Sequence, residues 1–138
     1  MLLKNYGLKC LLLHGDKLQQ ERTQIVNDFR MNPEYKIMIA TDVASRGLDI
    51  PEILYVINYD VPKDIETHIH RVGRTGRAGR EGFAYTLLFQ YETKFASQLA
   101  KNFEASGQPV PLALEEIAAE DADYKNQKMM KVHGLDKE

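Results

Sequence analysis

An α/β fold built on parallel strands is predicted by three features of the sequence. Short apolar runs alternate with stretches of helical period, and the connections between them are short. The unusual polar loops, at 14–16, 41–49 and 71–80, fall at or just after expected strand ends, where open parallel sheets collect function.

The elements follow in order. Leu8-Lys9-Cys10-Leu11-Leu12-Leu13 is an apolar run of the length of a strand buried on both faces. His14-Gly15-Asp16 ends it, and Asp16 with Gln19 three residues on has the form of a capping box. Leu18, Arg22, Ile25, Val26 and Phe29 recur at helical spacing and give the following helix one core face. That helix is expected to stop at Asn32-Pro33, because proline excludes helical backbone at the residue before it. Ile37 to Ala40 and Ile53 to Tyr59 are the next strands, separated by a loop from Thr41 to Pro51. A helix is expected over 64–72, with Ile65, Ile69 and Val72 on one face. Gly73, Gly76 and Gly79 prevent its continuation. Phe83 to Phe89, rich in aromatic and β-branched residues, is a fourth strand. Glu92 to Ser106 reads as a helix with Phe95, Leu99 and Phe103 four residues apart. After Gly107-Gln108-Pro109-Val110-Pro111, a single acidic helix is expected from Leu112 to about Lys128, and the last ten residues are expected to fray.

The chain has 138 residues, 43% of them apolar and 28% charged, with a net charge of −2. That is enough apolar residue for a core, so global disorder is excluded. No apolar run approaches membrane-spanning length, and the N-terminus has no signal-peptide layout. An intracellular setting is expected, with nothing to separate nucleus from cytoplasm. The single Cys10 excludes an internal disulfide and a cysteine-rich zinc site. Charge is unevenly spread: residues 68–82 carry a formal +3, leaving −5 on the rest. A basic patch on an acidic body suits a specific anion site better than general nucleic-acid coating.

Three stretches could carry chemistry. His70-Arg71-Val72-Gly73-Arg74-Thr75-Gly76-Arg77-Ala78-Gly79-Arg80 places an arginine every third residue, interleaved with glycines. Guanidinium groups offer a planar fork of donors to phosphate oxygens, and glycine lets backbone approach an anion. Such an element fits charge stabilisation on a transferring phosphoryl group, contact with a nucleic-acid backbone, or a flexible arginine/glycine segment. Ala40 to Ile50 gathers hydroxyls, a guanidinium and two carboxylates after a strand. It reads equally as a loop touching phosphate and sugar, or as helix capping by Thr41, Asp42 or Ser45. The turn His14-Gly15-Asp16 is the third. No GxxxxGK[ST] loop and no second acidic motif for magnesium is present, so a complete nucleoside-triphosphate site is not expected here. His68 and His70 are two apart, which places them on different faces of a helix, and no metal site is expected.

In this order the blocks resemble the C-terminal RecA-like domain of the DEAD-box RNA helicases. His14-Gly15-Asp16 with Gln19 and Arg22 is similar to motif IVa, Thr41 to Ile50 to motif V, Val56-Ile57-Asn58-Tyr59-Asp60 to the next strand motif, and His70 to Arg80 to motif VI. The resemblance covers residues 1–105. Gly107 to Pro111 followed by Leu114 and Ile117 is similar to the helix that often trails the domain.

The resemblance implies a RecA-like parallel sheet with helices on both faces, and ATP hydrolysis coupled to RNA duplex opening across a cleft between two such domains. It implies that Arg77 is the arginine finger and Arg74 its partner at the γ-phosphate, and that Asp49 and Gly47 lie by the nucleotide. It further implies that Gly15, Asp16, Arg22, Thr41 and Arg46 contact the RNA sugar-phosphate backbone with little sequence preference, and that His70 links to the N-terminal RecA-like domain. ATP with Mg2+ would be held mainly by that first domain. Residues 1–105 are then expected to be the helicase C-terminal domain without its first strand, as in a truncated or degenerate copy. Residues 106–138 would be a trailing helical extension with a frayed end. The alternative is a non-catalytic fragment that binds RNA or protein.

Overall fold

The structure, a computed structural model, describes residues 2–134. It divides into two compact units, Met1–Ile53 and Leu54–Glu138.

The first unit contains α1 (Leu2–Asn5), β1 (Cys10–Leu13), α2 (Gln19–Met31), β2 (Ile37–Ala40) and α3 (Asp42–Ser45). Gly7, at φ +70°, turns the chain after α1. β1 and β2 pair in parallel, from Cys10 opposite Ile37 to Leu13 opposite Ala40, with α2 as the connection between them. Leu13, Val26 and Ile50 are buried together, joined by Ile25, Met38 and Leu48.

The start of α2 differs from expectation. Its N-cap is Leu18, which has no side-chain acceptor, and only the Glu21 half of a capping box forms, with the Leu18 N–H donating to its carboxylate at 2.8 Å. Asp16 is not the cap because residues 14–17 close a separate turn, with Lys17 N–H donating to His14 O at 3.2 Å. Leu18 is therefore exposed rather than on the core face. The helix ends as predicted: Asn32 leaves helical backbone immediately before Pro33.

The second unit contains β3 (Tyr55–Asn58), α4 (Ile65–Val72), β4 (Phe83–Thr86), α5 (Thr93–Ala105), α6 (Leu112–Ala118) and α7 (Ala122–Val132). β3 and β4 pair in parallel, Tyr55 opposite Phe83 and Asn58 opposite Thr86. α4 is capped by Asp64, which accepts from Thr67 N–H at 2.8 Å. That bond holds the Asp64 carboxyl below its usual range. Ile65 packs on the core, whereas Ile69 of the expected apolar face is exposed. The larger core lies on α5, where Phe95 and Leu99 are buried and Phe103 packs beside them, with Leu114, Ala118 and Tyr124 opposite.

One helix was expected from Leu112 to about Lys128; two form. The chain breaks after Ala118, and Asp121 caps the second helix by accepting from Tyr124 N–H at 3.0 Å. The break allows Tyr124 to be buried and Lys128 to bridge Glu104 at 2.8 Å and Glu115 at 3.1 Å. These bonds raise the Lys128 ammonium above its usual range and lower Glu104, despite some desolvation of each. α7 continues to Val132, into the stretch expected to fray; 135–138 lie outside the described residues. Both described strand pairs are parallel and connected through helices, as the α/β pattern predicts. No described helix is long and apolar enough to cross a membrane.

Candidate functional site

In the first unit, parallel pairing brings two of the sequence-predicted stretches to one edge. Thr41 N–H donates to Leu13 O at 3.1 Å, so Thr41 and the turn His14–Gly15–Asp16 leave the sheet side by side. Arg22 shapes that turn from the first turn of α2. Its Nε donates to Lys17 O at 3.0 Å and its Nη2 to Gly15 O at 2.8 Å. The Asp16 carboxylate is almost fully exposed, 3.7 Å from His14 Nδ1. Thr41 occupies the N-cap position of α3 but makes no side-chain capping bond, and Arg46 follows the helix, exposed. The side chain of Ser45 lies outside the described residues. Gly47 has φ +70°, a conformation that glycine adopts without cost. Asp49 keeps an exposed carboxylate, with Arg30 Nη2 donating to its backbone carbonyl at 2.8 Å and lying 3.5 Å from Oδ2.

In the second unit, the arginine loop is a folded element. α4 runs into consecutive turns: Arg74 N–H donates to Arg71 O, Thr75 N–H to Val72 O, and Arg80 N–H to Arg77 O. Gly76 and Gly79 have φ +66° and +75°, and Ala78 between them is at +53°, unusual for a residue with a Cβ. Arg77 Nε donates to Gly73 O at 2.6 Å, which fixes the root of its guanidinium. Thr75 Oγ1 donates to Leu54 O at 2.9 Å and ties the loop to the start of β3. Gly82 lies against the same place: a Cβ there would collide with Thr75 Oγ1 and Gly76 N. Arg74 is half-buried and Arg77 exposed, in one tight turn. His70 is exposed on α4. His68, half-buried, meets Phe95 edge-on at 5.8 Å between ring centres. Burial and then the nearby Arg71 charge push its pKa down.

No described group of three His, Cys, Asp or Glu residues is placed to hold a metal ion.

The strand-end turn, the hydroxyl-bearing loop and most of the arginine loop lie within a stretch that matches a known family. The family model described as helicase conserved C-terminal domain matches residues 1–79, more than half of the chain. The chain belongs to the helicase C-terminal domain family. Among relatives of this helicase domain, human ATP-dependent RNA helicase DDX42 is 49% identical over 123 residues, 89% of this chain. The chain spans only 13% of that protein's length. The yeast DEAD-box splicing factor Prp28 matches in structure with a TM-score of 0.72 at 34% identity, over 84% of this chain and 27% of Prp28. The C-terminal domain of the DEAD-box protein Dbp5 matches with a TM-score of 0.65 at 34% identity, over 94% of this chain and 72% of that domain. A structure of S. cerevisiae Dbp5 bound to RNA and ADP BeF3 matches at 0.62 and 41% identity, over 73% of this chain and 27% of that one. The α/β fold is thus the RecA-like one of the DEAD-box C-terminal domains.

Sequence reasoning placed Arg74 and Arg77 in one element but missed what holds that element. The contacts it missed are Arg71 Nη1 donating to Asn58 Oδ1 at 3.2 Å, Thr75 Oγ1 donating to Leu54 O at 2.9 Å, and Gly82 lying against Thr75 and Gly76 of this helicase domain's arginine loop. The one sequence signal for Asn58 was a carboxamide inside an otherwise apolar strand.

Proposed function

We propose that this chain supplies the arginine finger and part of the RNA grip of an ATP-dependent RNA helicase. The observation that carries the proposal is the anchored loop, in which Arg77 is pinned at Gly73 O and the Thr75 hydroxyl at Leu54 O. A guanidinium held this way needs little reorganisation when charge develops near it, which is what makes it useful in catalysis. As the γ-phosphoryl group leaves, negative charge spreads over its oxygens, and Arg77 with Arg74 stabilises that charge more than the ground state. Asp49 and Gly47 serve the nucleotide from the first unit. The partner is an N-terminal RecA-like domain, met by His70, which holds ATP and in this proposal the Mg2+.

RNA is gripped by its backbone at the edge where β1 and β2 end. Gly15 and Asp16 present a turn that Arg22 holds rigid, and exposed Thr41 and Arg46 take sugar and phosphate. Contacts of this kind position an RNA strand without reading its bases. Support comes from Dbp5, a similar protein whose structure carries both RNA and a nucleotide. Closure of the two domains on ATP then strains the RNA and opens a duplex locally.

The test is RNA-stimulated phosphate release by the 138-residue chain, alone and tethered behind an N-terminal RecA-like domain from a DEAD-box helicase. The chain alone should show no turnover, and the tethered protein should show RNA-stimulated turnover. Turnover by the chain alone would contradict the proposal. So would a folded, ATP-binding tethered protein that RNA does not stimulate, the outcome expected of a non-catalytic binding fragment.

A further inference from the structure

We propose that Arg71, working from the buried side chain of Asn58, is the positioning residue of the arginine loop. This rests on the function proposed above for Arg74 and Arg77, and it adds residues to which no role is yet assigned.

Asn58 is the starting point. It stands at the end of β3 with 2% of its surface exposed. A carboxamide in a strand core is costly unless its donors and acceptors are met, and a β-branched apolar residue would pack there at no such cost. Here Nδ2 donates to Thr86 Oγ1 on the neighbouring strand at 3.0 Å, and Oδ1 accepts from Arg71 Nη1 at 3.2 Å. The same Arg71 nitrogen also donates to Asp60 O at 2.9 Å. One guanidinium thus joins the last turn of α4 to the far end of β3, through a side chain that also locks β3 to β4.

The loop is held along β3 from both ends. Arg71 grips the C-terminal end of the strand at Asn58 and Asp60, and Thr75 grips the residue before its start, at Leu54 O. Arg74 lies between these two anchors, and Arg77 hangs from Gly73 between them. A backbone clamped on both sides of an arginine restricts where its guanidinium can go. Pre-organisation of this kind matters most for a group that must meet a transition state, where a misplacement of about 1 Å costs on the order of a hundredfold in rate.

A purely structural pair would behave differently from a positioning pair. Arg71→Met leaves the Asn58 Oδ1 atom buried without this donor. Asn58→Leu together with Arg71→Met removes both members of that bond and leaves only Thr86 Oγ1 short of its Asn58 donor, so most of the stability lost in Arg71→Met returns. A structural role is therefore repaired in the double variant, whereas a positioning role stays broken.

The test is amide hydrogen exchange on the 138-residue chain, with thermal unfolding alongside. Arg71→Met should speed exchange at the hydrogen-bonded amides of Arg74, Thr75 and Arg80 by about tenfold or more, as expected for loss of a hydrogen bond to a charged group. Exchange over 93–105 should be unchanged. Arg71→Lys, which keeps a donor, should fall between wild type and Arg71→Met and decides the matter if Arg71→Met does not fold. The double variant should regain most of the thermal stability but keep fast loop exchange. In the tethered protein, Arg71→Met should lower kcat about tenfold or more and leave KM for ATP within about twofold. Wild-type exchange at 74–80 in the single variants, its recovery in the double variant, or an unchanged kcat would overturn the proposal. If Arg77→Ala itself leaves turnover intact, the proposed function fails while the exchange result still judges Arg71.

Discussion

His68 turns inward from α4 against Phe95, and its Nδ1 is buried with no hydrogen-bond partner among the described residues. Burial favours the neutral ring, and the positive charge of Arg71 adds to that, so its pKa lies below the ordinary 6.5. The unfolded chain therefore binds the proton more readily than the folded one. The stabilisation is complete above about pH 6.5 and is lost as pH falls from there through the lower folded-state pKa. Chemical denaturation between pH 7.5 and 5.5 should show stability falling with acidity. The slope should be shallower than the roughly 1.4 kcal/mol per pH unit of a whole proton, since the ring is only half-buried. His68→Phe should flatten that slope, and an unchanged slope would place the titrating group elsewhere. From the sequence, the spacing of His68 and His70 put them on different faces of a helix, and one is half-buried and the other exposed. That Arg77 lies in a turn was legible for a similar reason, because glycines at 73, 76 and 79 disfavour continued helix, and Gly76 and Gly79 take positive φ. Arg22 was not: its spacing puts it on the core face of α2, and only the fold shows its guanidinium donating to the carbonyls of Gly15 and Lys17.

The helices show what local pattern does and does not encode. Pro33 and Gly107 end α2 and α5 where the sequence predicts: proline bars helical backbone at Asn32, and glycine takes φ +71° without the cost a Cβ would bring. The break between α6 and α7 had no such marker, since Ala118, Ala119 and Glu120 all favour helix. Tertiary contacts decide it: burying Tyr124 and joining Lys128 to Glu104 and Glu115 requires α7 to set off in a new direction. Asp121 stabilises that new start through its bond to Tyr124 N–H. Asp121→Ala should cost about 1 kcal/mol, the usual loss of a capping side chain, and Asp121→Asn should cost less. Denaturant titration of the two variants checks this, and equal stability of Asp121→Ala and wild type would show that packing alone sets the break. β2 was legible in position and length, Ile37–Ala40, and the other strands in position only. Each is four residues, shorter than the apolar runs at 8–13, 53–59 and 83–89 that contain β1, β3 and β4.

At the scale of the chain, the proposed function draws on residues of both units. The first unit carries the strand-end turn, Thr41, Arg46 and Asp49, and the second carries the arginine loop. The chain as a whole spans about an eighth of a relative such as DDX42. The order of the blocks was legible because each is a run of local residues. The anchoring of the arginine loop was not, because Leu54 and Asn58 meet it only in the fold, with Asn58 held by Thr86 once β3 and β4 pair. The central claim is that Arg77 stabilises the transition state of ATP hydrolysis. It is tested most directly by RNA-stimulated turnover and nucleotide affinity of the tethered protein carrying Arg77→Ala or Arg80→Ala. Loss of an arginine finger lowers turnover on the order of a thousandfold, about 4 kcal/mol of transition-state stabilisation, while ATP affinity should change little. Arg80→Ala, beyond the matched pair, should cost much less. Arg77→Ala retaining more than about a tenth of wild-type turnover, when the loss expected of a finger is a thousandfold, would contradict the claim, as would Arg80→Ala proving the more damaging of the two.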